Sequence, residues 1–244
     1  MINMLQSENL KFKRSFSKKF CFIVPMYILV LSLQMNIYFF TNTMNWWSAF
    51  FIPFVVCIVC ILSTNREKKA GNYRTLKSKD INLKALWISK IMVIAYYLLI
   101  ASIIMIINFL IVKLLYISYS NNLIPIDKTI KAILTIWITT LILIPICLFI
   151  AEALGTFMVI LVTCVGIIIG LFTVGNSLWY LCPWALNIRL MCPILKLNPN
   201  GALLEAGDPL LDSAVIPIGI LVGIVGFTVL SLLTSIWFAK KEAR

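Results

Sequence analysis

Long apolar runs separated by short polar stretches make up most of the chain. A helix crossing the ~30 Å hydrocarbon core of a bilayer needs about 20 apolar residues. Stretches of that kind occur at 20–40, 46–64 and 91–112. The next apolar tract, 132–175, is about twice the required length at ~1.5 Å of rise per residue. It must turn back, and its best break is Glu152-Ala-Leu-Gly155, which holds the tract's only acid and its first glycine. Spans at 132–151 and 153–175 follow, and a last one covers 214–238. The pattern predicts an all-α integral membrane protein with six transmembrane helices in one domain, 20–244. An arm, 1–19, precedes it; a polar segment, 65–90, joins the second and third spans; a long segment, 176–213, leads into the last.

Composition supports burial in lipid. Of 244 residues, 61% are hydrophobic and 12% charged, against about 25% charged in soluble domains. So few charges cannot cover a wet surface, and so much apolar content excludes disorder. The net charge of +12 raises the question of nucleic acid. The bases cluster at 11–19, 66–90 and 240–244, each beside an apolar run, which is how cytoplasmic flanks of membrane helices look. No nucleic-acid partner is expected. With the N-terminus inside, sixteen Lys and Arg fall on inner segments and five on outer ones, so both termini are expected in the cytoplasm. The first span has too long a core for a cleaved signal peptide and lacks a small-x-small site, so it is expected to remain.

Several residues within or beside the spans carry local expectations. Trp46, Trp47, Trp87, Trp179 and Trp237 fall near span ends, where indole rings anchor at headgroup level. Pro53, Pro145 and Pro217 are expected to kink their spans. Gly166-Ile-Ile-Ile-Gly170 and Gly219-Ile-Leu-Val-Gly223 let helix backbones approach closely, here within the chain.

Catalytic chemistry is sparse. There is no histidine, which removes His bases, His metal ligands and Ser–His or Cys–His pairs together. Cys57, Cys60, Cys147 and Cys164 lie inside apolar runs and read as packed thiols. Whether Cys182 and Cys192 pair in their shared outer segment stays open. Glu152 is the one acid near a span, at an inner turn, so an ion-coupled carrier with acids at the bilayer midplane is disfavoured. No Gly-x-x-x-x-Gly-Lys occurs, nor any Gly-Lys pair. The chain is therefore expected to be no enzyme, to bind no cofactor or metal, and to draw any energy for transport from another polypeptide.

Two segments point further. In the arm, Leu5, Asn9, Phe12 and Phe16 share one helical face, with Lys11, Lys18 and Lys19 largely elsewhere. This fits a basic helix on the inner leaflet, in contact with lipid headgroups, or a plain topogenic anchor. Segment 65–90 carries ten charged residues, is broken at Gly71, and offers Asp80 or Asn82 as a cap for the helix entering the third span.

The order Glu67-basic-x-x-Gly71, then Leu76, then a Ser/Asn-led helix ending in Lys90 resembles the first cytoplasmic loop of ABC-2-type export permeases. That resemblance implies an ABC-2-type permease fold and a coupling helix docking on a separate ABC ATPase subunit, which would hold ATP and Mg. Glu67, Gly71, Tyr73 and Leu76 are the implied coupling positions. A narrower resemblance rests on Ser7-Glu-Asn-Leu-Lys11, Asn45-Trp-Trp47, Glu67-Lys-Lys-Ala-Gly-Asn-Tyr-Arg74, the stretch from Trp179-Tyr-Leu-Cys-Pro-Trp184 to Cys192-Pro193, and Leu195-Lys-Leu-Asn-Pro-Asn-Gly201. These are similar to permease subunits of lantibiotic self-immunity transporters, the MutE/EpiE-type group. It implies a bacterial plasma-membrane protein that works with a second permease subunit to clear an amphipathic peptide from the producer's membrane.

Segment 176–213 has a physical reading of its own. Trp179, Tyr180, Trp184 and Arg189, with an acidic end in Glu205, Asp208 and Asp212, are candidates to meet a cationic peptide at the outer interface. Plain aromatic anchoring is the competing account. An ABC-2-type permease for another amphipathic or lipid-like substrate and a non-transport sensor subunit also remain open. An intramembrane enzyme is the weakest reading.

Overall fold

The computed structural model describes residues 2–33, 39–70, 81–115 and 125–242, and these are all-α apart from one isolated bridge between Leu197 and Leu203. The helices are α1 (Ile2–Lys13), α2 (Phe16–Leu33), α3 (Phe39–Trp46), α4 (Ile52–Lys69), α5 (Leu83–Leu115), α6 (Ile126–Thr140), α7 (Leu143–Ala153), α8 (Thr156–Thr173), α9 (Pro183–Leu195) and α10 (Val215–Glu242). A π-helical turn, Trp47–Phe51, fuses α3 to α4. Among the described residues, five helical stretches are long and apolar enough to cross a membrane: Phe39–Lys69, Leu83–Leu114, Ile126–Ala153, Thr156–Thr173 and Val215–Lys241. This is a multi-pass membrane protein. Of the remaining expected span, 20–40, α2 supplies the first part, and 34–38 lie outside the described residues.

Helix boundaries follow backbone chemistry. Pro53 and Pro145 lie inside the continuous stretches Phe39–Lys69 and Ile126–Ala153, just after the π-helical turn Trp47–Phe51 and the break at Leu141–Ile142, where a missing N–H interrupts the helical ladder. Pro217 stands in the first turn of α10, where it removes no helical bond. Pro25 lies inside α2, and its carbonyl accepts from Asn108 Nδ2 on α5 at 3.2 Å, a buried bond that ties the two helices together. Asn82 caps α5 by accepting from Ala85 N at 3.1 Å. The α7–α8 turn is made at Gly155, whose φ of 92° is cheap for a residue without Cβ.

The core runs through α4, α5, α6 and α7, while α8 and α10 show mostly exposed apolar residues such as Phe157, Phe172, Leu221 and Leu233. These two helices are peripheral, and lipid-facing side chains cost nothing there. Trp47, Trp87 and Trp179 are buried rather than turned to the headgroups. Trp87 stacks on Phe238 at 4.4 Å and donates to Thr234 Oγ1 at 3.1 Å, tying α5 to α10. A Trp with a polar partner inside the bundle gains more from packing than from the interface.

The glycine repeats explain how α9 fits. A Cβ on Gly166 would overlap the Trp184 ring, and Gly170 touches the Trp184–Ala185 backbone. Gly219 faces Leu190, and Gly223 faces Thr139. The repeats on α8 and α10 thus open a slot that α9 and α6 fill, all within one chain. Gly166→Ala, usually favourable in a helix, is expected to lower stability by about 1–3 kcal/mol through overpacking. Gly175→Ala, with nothing within 4 Å, should be neutral; thermal unfolding of the detergent-purified chain compares the two.

Candidate functional site

One end of the bundle gathers the charged segments. Glu8 and Lys11 come from α1, Arg66 and Glu67 from the last turn of α4, and Lys90 from the second turn of α5. Lys11 Nζ donates to Glu8 Oε1 at 2.7 Å and to Glu67 Oε1 at 3.0 Å. Arg66 Nη2 lies 3.5 Å from Glu8 Oε2 and 3.6 Å from Glu67 Oε1. The buried Lys90 ammonium interacts electrostatically with both carboxylates. Below this cluster Phe12 stacks on Tyr97 at 4.1 Å, and Tyr97 donates its hydroxyl to Asn9 Oδ1 at 3.0 Å.

The arm's apolar face is therefore spent on α5 and not on the leaflet. Phe12 and Glu8 are buried and Leu5 is half-buried, while Phe16 is exposed. The reason is local: two carboxylates beside the helix ends offer Lys11 better partners than water-shielded headgroups do. Burial alone would lower the Lys11 pKa, but Glu8 and Glu67 outweigh it and hold the pKa above the ordinary value of 10.5.

A second cluster closes the same end. Lys241, in the last turn of α10, donates to Glu152 Oε1 at 2.8 Å and to the Glu152 carbonyl at 3.0 Å. Lys68 donates to the Ala151 carbonyl at 3.1 Å. Two lysines thus cover the exposed carbonyls at the C-terminus of α7, where the helix dipole also favours cations. The arm, the end of α4, the start of α5, the α7–α8 turn and the end of α10 all meet at this end.

The far end is organised around α9. Asn187, fully buried, accepts from Thr139 Oγ1 and donates from Nδ2 to Thr140 Oγ1 at 2.8 Å, both on α6. Thr139 stands seven residues into its predicted span, or ~10 Å below the span's end. The segment 176–213 is consequently no surface loop: its central helix is sunk among α6, α8 and α10. Lys196, with a φ of 57°, ends α9, and the following turn seats on α3. With the amide oriented to satisfy both groups, Asn45 donates to the Pro199 carbonyl at 3.2 Å and accepts from Gly201 N at 3.3 Å.

Of the outer candidates, Trp179 and Arg189 are buried and Trp184 is half-buried in the glycine slot. Arg189 lies 5.9 Å from the Trp179 ring and donates to the Leu210 carbonyl at 2.7 Å. These three hold α9 in place. Tyr180 is exposed, flanked by exposed Leu178 and Leu181. Cys182 and Cys192 are both free thiols. Of the coupling positions, Glu67 is 5% exposed; Gly71, Tyr73 and Leu76 lie outside the described residues.

Glu8, Lys11 and Asn187 were not marked as site residues by the sequence. A signal for Glu8 existed, since it is the arm's only acid among five bases. Asn187 had none, because one amide in an outer segment looks like any loop polar. Comparison with family models, with curated proteins and with solved structures finds no match to this chain.

Glu67→Gln removes the carboxylate that Lys11 and Arg66 share and is expected to cost about 2–3 kcal/mol. Trypsin should then cleave the arm faster, with the exposed Glu205→Gln as the unaffected control. The Lys11 contribution is complete below pH 10.5 and is lost as pH rises through its elevated folded value. Arm cleavage should stay flat across the neutral range.

Proposed function

We propose that the chain is the membrane-spanning permease subunit of an ATP-driven exporter, with the charged end in the cytoplasm of a bacterial cell. A separate ABC ATPase would supply the energy, and a second permease subunit would complete the path. The passenger is a lantibiotic-type amphipathic peptide, taken from the membrane in self-protection.

The observation that carries this reading is the bracketing of segment 71–80. It leaves α4 just after Arg66 and Glu67 and returns through α5 just before Lys90, and all three belong to the buried charge cluster. A push on the segment is therefore transmitted to α1, α4 and α5 together, which suits a part worked from outside the chain. The absence of any Gly-Lys pair in the sequence leaves nucleotide chemistry to a partner. Two of the motifs behind the family resemblance also touch: Lys11 of Ser7–Lys11 meets Glu67 of Glu67–Arg74. On the far side, Leu178, Tyr180 and Leu181 are the exposed edge that an arriving or departing peptide would meet.

Purification of the tagged chain from its own cells should bring down an ABC ATPase with vanadate-sensitive ATP hydrolysis. Leu76→Asp, placed in the segment itself, should abolish that stimulation while membrane insertion is unchanged. A chain that protects cells with no nucleotide-hydrolysing companion, or a Leu76→Asp variant that stimulates hydrolysis normally, ends the proposal.

A further inference from the structure

Two of the membrane-crossing stretches are not continuous α-helices. In Phe39–Lys69 the ladder widens at the π-helical turn Trp47–Phe51. Ile52 N donates to the Trp47 carbonyl, five residues back, and Pro53, next in line, has no N–H. In Ile126–Ala153 the ladder tightens instead. Leu141 N donates to the Ile138 carbonyl at 3.3 Å and Ile144 N to the Leu141 carbonyl at 3.1 Å, each three residues back. Pro145 has no N–H with which to serve Leu141 in the ordinary way. Such changes of hydrogen-bond register inside a helix mark bending points. They are tolerated at membrane depth where protein surrounds the backbone, and among the described residues these two stretches are the most buried of the five.

One helix touches both places. Ala49, in the π-helical turn, packs against Ala185, Ile188 and Cys192 of α9. From the same helix Asn187 accepts from Thr139 Oγ1 and donates to Thr140 Oγ1 at 2.8 Å, and these threonines are the last two residues of α6 before its break. The turn after α9 seats on Asn45, which ties α9 to α3 as well. On the other side of the break α10 presents glycines. A Cβ on Gly223 would meet Thr139 and the Ile138 carbonyl, and one on Gly226 would meet the Ile142 side chain. A surface stripped of side chains lets α6 change its angle to α7 without riding over a ridge. Past the two bends, α4 and α7 lie side by side, with Cys60 Sγ 3.8 Å from the Ile144 carbonyl.

We propose that Trp47–Phe51 and Leu141–Ile142 are paired hinges and that α9 yokes them, so that α3, α6 and α9 tilt as one block against α4 and α7. A few residues that absorb the backbone change are all such a motion needs. Asn187 is the positioning residue of this device: it fixes α9 to the rim of one hinge while Ala49 seats it on the other. The device belongs to the chain's own mechanics and stands whether or not an ATPase drives it.

Hydrogen–deuterium exchange of the full chain in lipid nanodiscs, read by mass spectrometry of overlapping peptides, tests it. In the wild type the amides of 47–52 and 141–144 should exchange faster than those of 54–62 and 146–152. Asn187→Leu removes both side-chain bonds and should speed exchange at 141–144 about tenfold. Through α9 it should also speed 47–52, by about threefold. Ala49→Val crowds α9 from the other side and should speed 141–144 in return. Pro145→Ala gives the Leu141 carbonyl a donor and should slow both hinges. Residues 98–109, within unbroken α5, report global loosening and should not change. Should Asn187→Leu fail to fold, Thr140→Val removes one of the two bonds and is expected to act in the same direction by a smaller factor. The proposal is overturned if the Asn187 or Thr140 variant changes 141–144 alone, or if 98–109 accelerates by the same factor. It is equally overturned if Ala49→Val leaves 141–144 as it was, or if Pro145→Ala leaves 47–52 as it was.

Discussion

Two carboxylates, Glu8 and Glu67, hold three cations from three helices at one end of the bundle, and the architecture of that end depends on the exchange. Half the usual proportion of charge is available to this chain, so where a carboxylate is buried its position is determined by need. Lys11 and Arg66, 30% and 24% exposed at the side chain, each find a carboxylate where the apolar bundle leaves them only partial contact with water. The arm is drawn onto α4 and α5 by this requirement, and Phe12 stacking on Tyr97 then fixes its angle. The second pair, Glu152 with Lys241, applies the same logic to the α7–α8 turn and the end of α10.

At the far end small residues replace charge as the organising device. Gly166, Gly170 and Gly219 remove side chains where α9 enters, and Asn187 finds Thr139 and Thr140 as partners. A buried amide with both its oxygen and nitrogen engaged can sit in a low-dielectric setting that would reject a free one. One end is held by long ionic side chains, and the other by close packing at glycines around a buried amide.

Apolar run lengths made the membrane class, the long helices and the turn at Glu152–Gly155 legible, because hydrocarbon thickness is a one-dimensional constraint. The glycine repeats were legible as close-approach surfaces, though not what approached them. The depth of α9 was hidden: Trp179, Trp184 and Arg189 have the composition of an interfacial loop, and only the slot in α8 and α10 shows they are packing residues. The arm's helical face was readable from Leu5, Asn9 and Phe12, but its partner was not. An amphipathic basic helix carries the same pattern whether it lies on lipid or on its own protein, and the difference rests on Glu67, fifty-six residues away.

The central claim is that Lys11 and Glu67 are energetically joined, so that the arm and the helix ends beside segment 71–80 behave as one piece. A double-mutant cycle with Lys11→Met, Glu67→Gln and the double variant, read by unfolding of the detergent-purified chain, measures that link. The account predicts a coupling energy of about 1–3 kcal/mol, whereas effects that add within about 0.3–0.5 kcal/mol would contradict it.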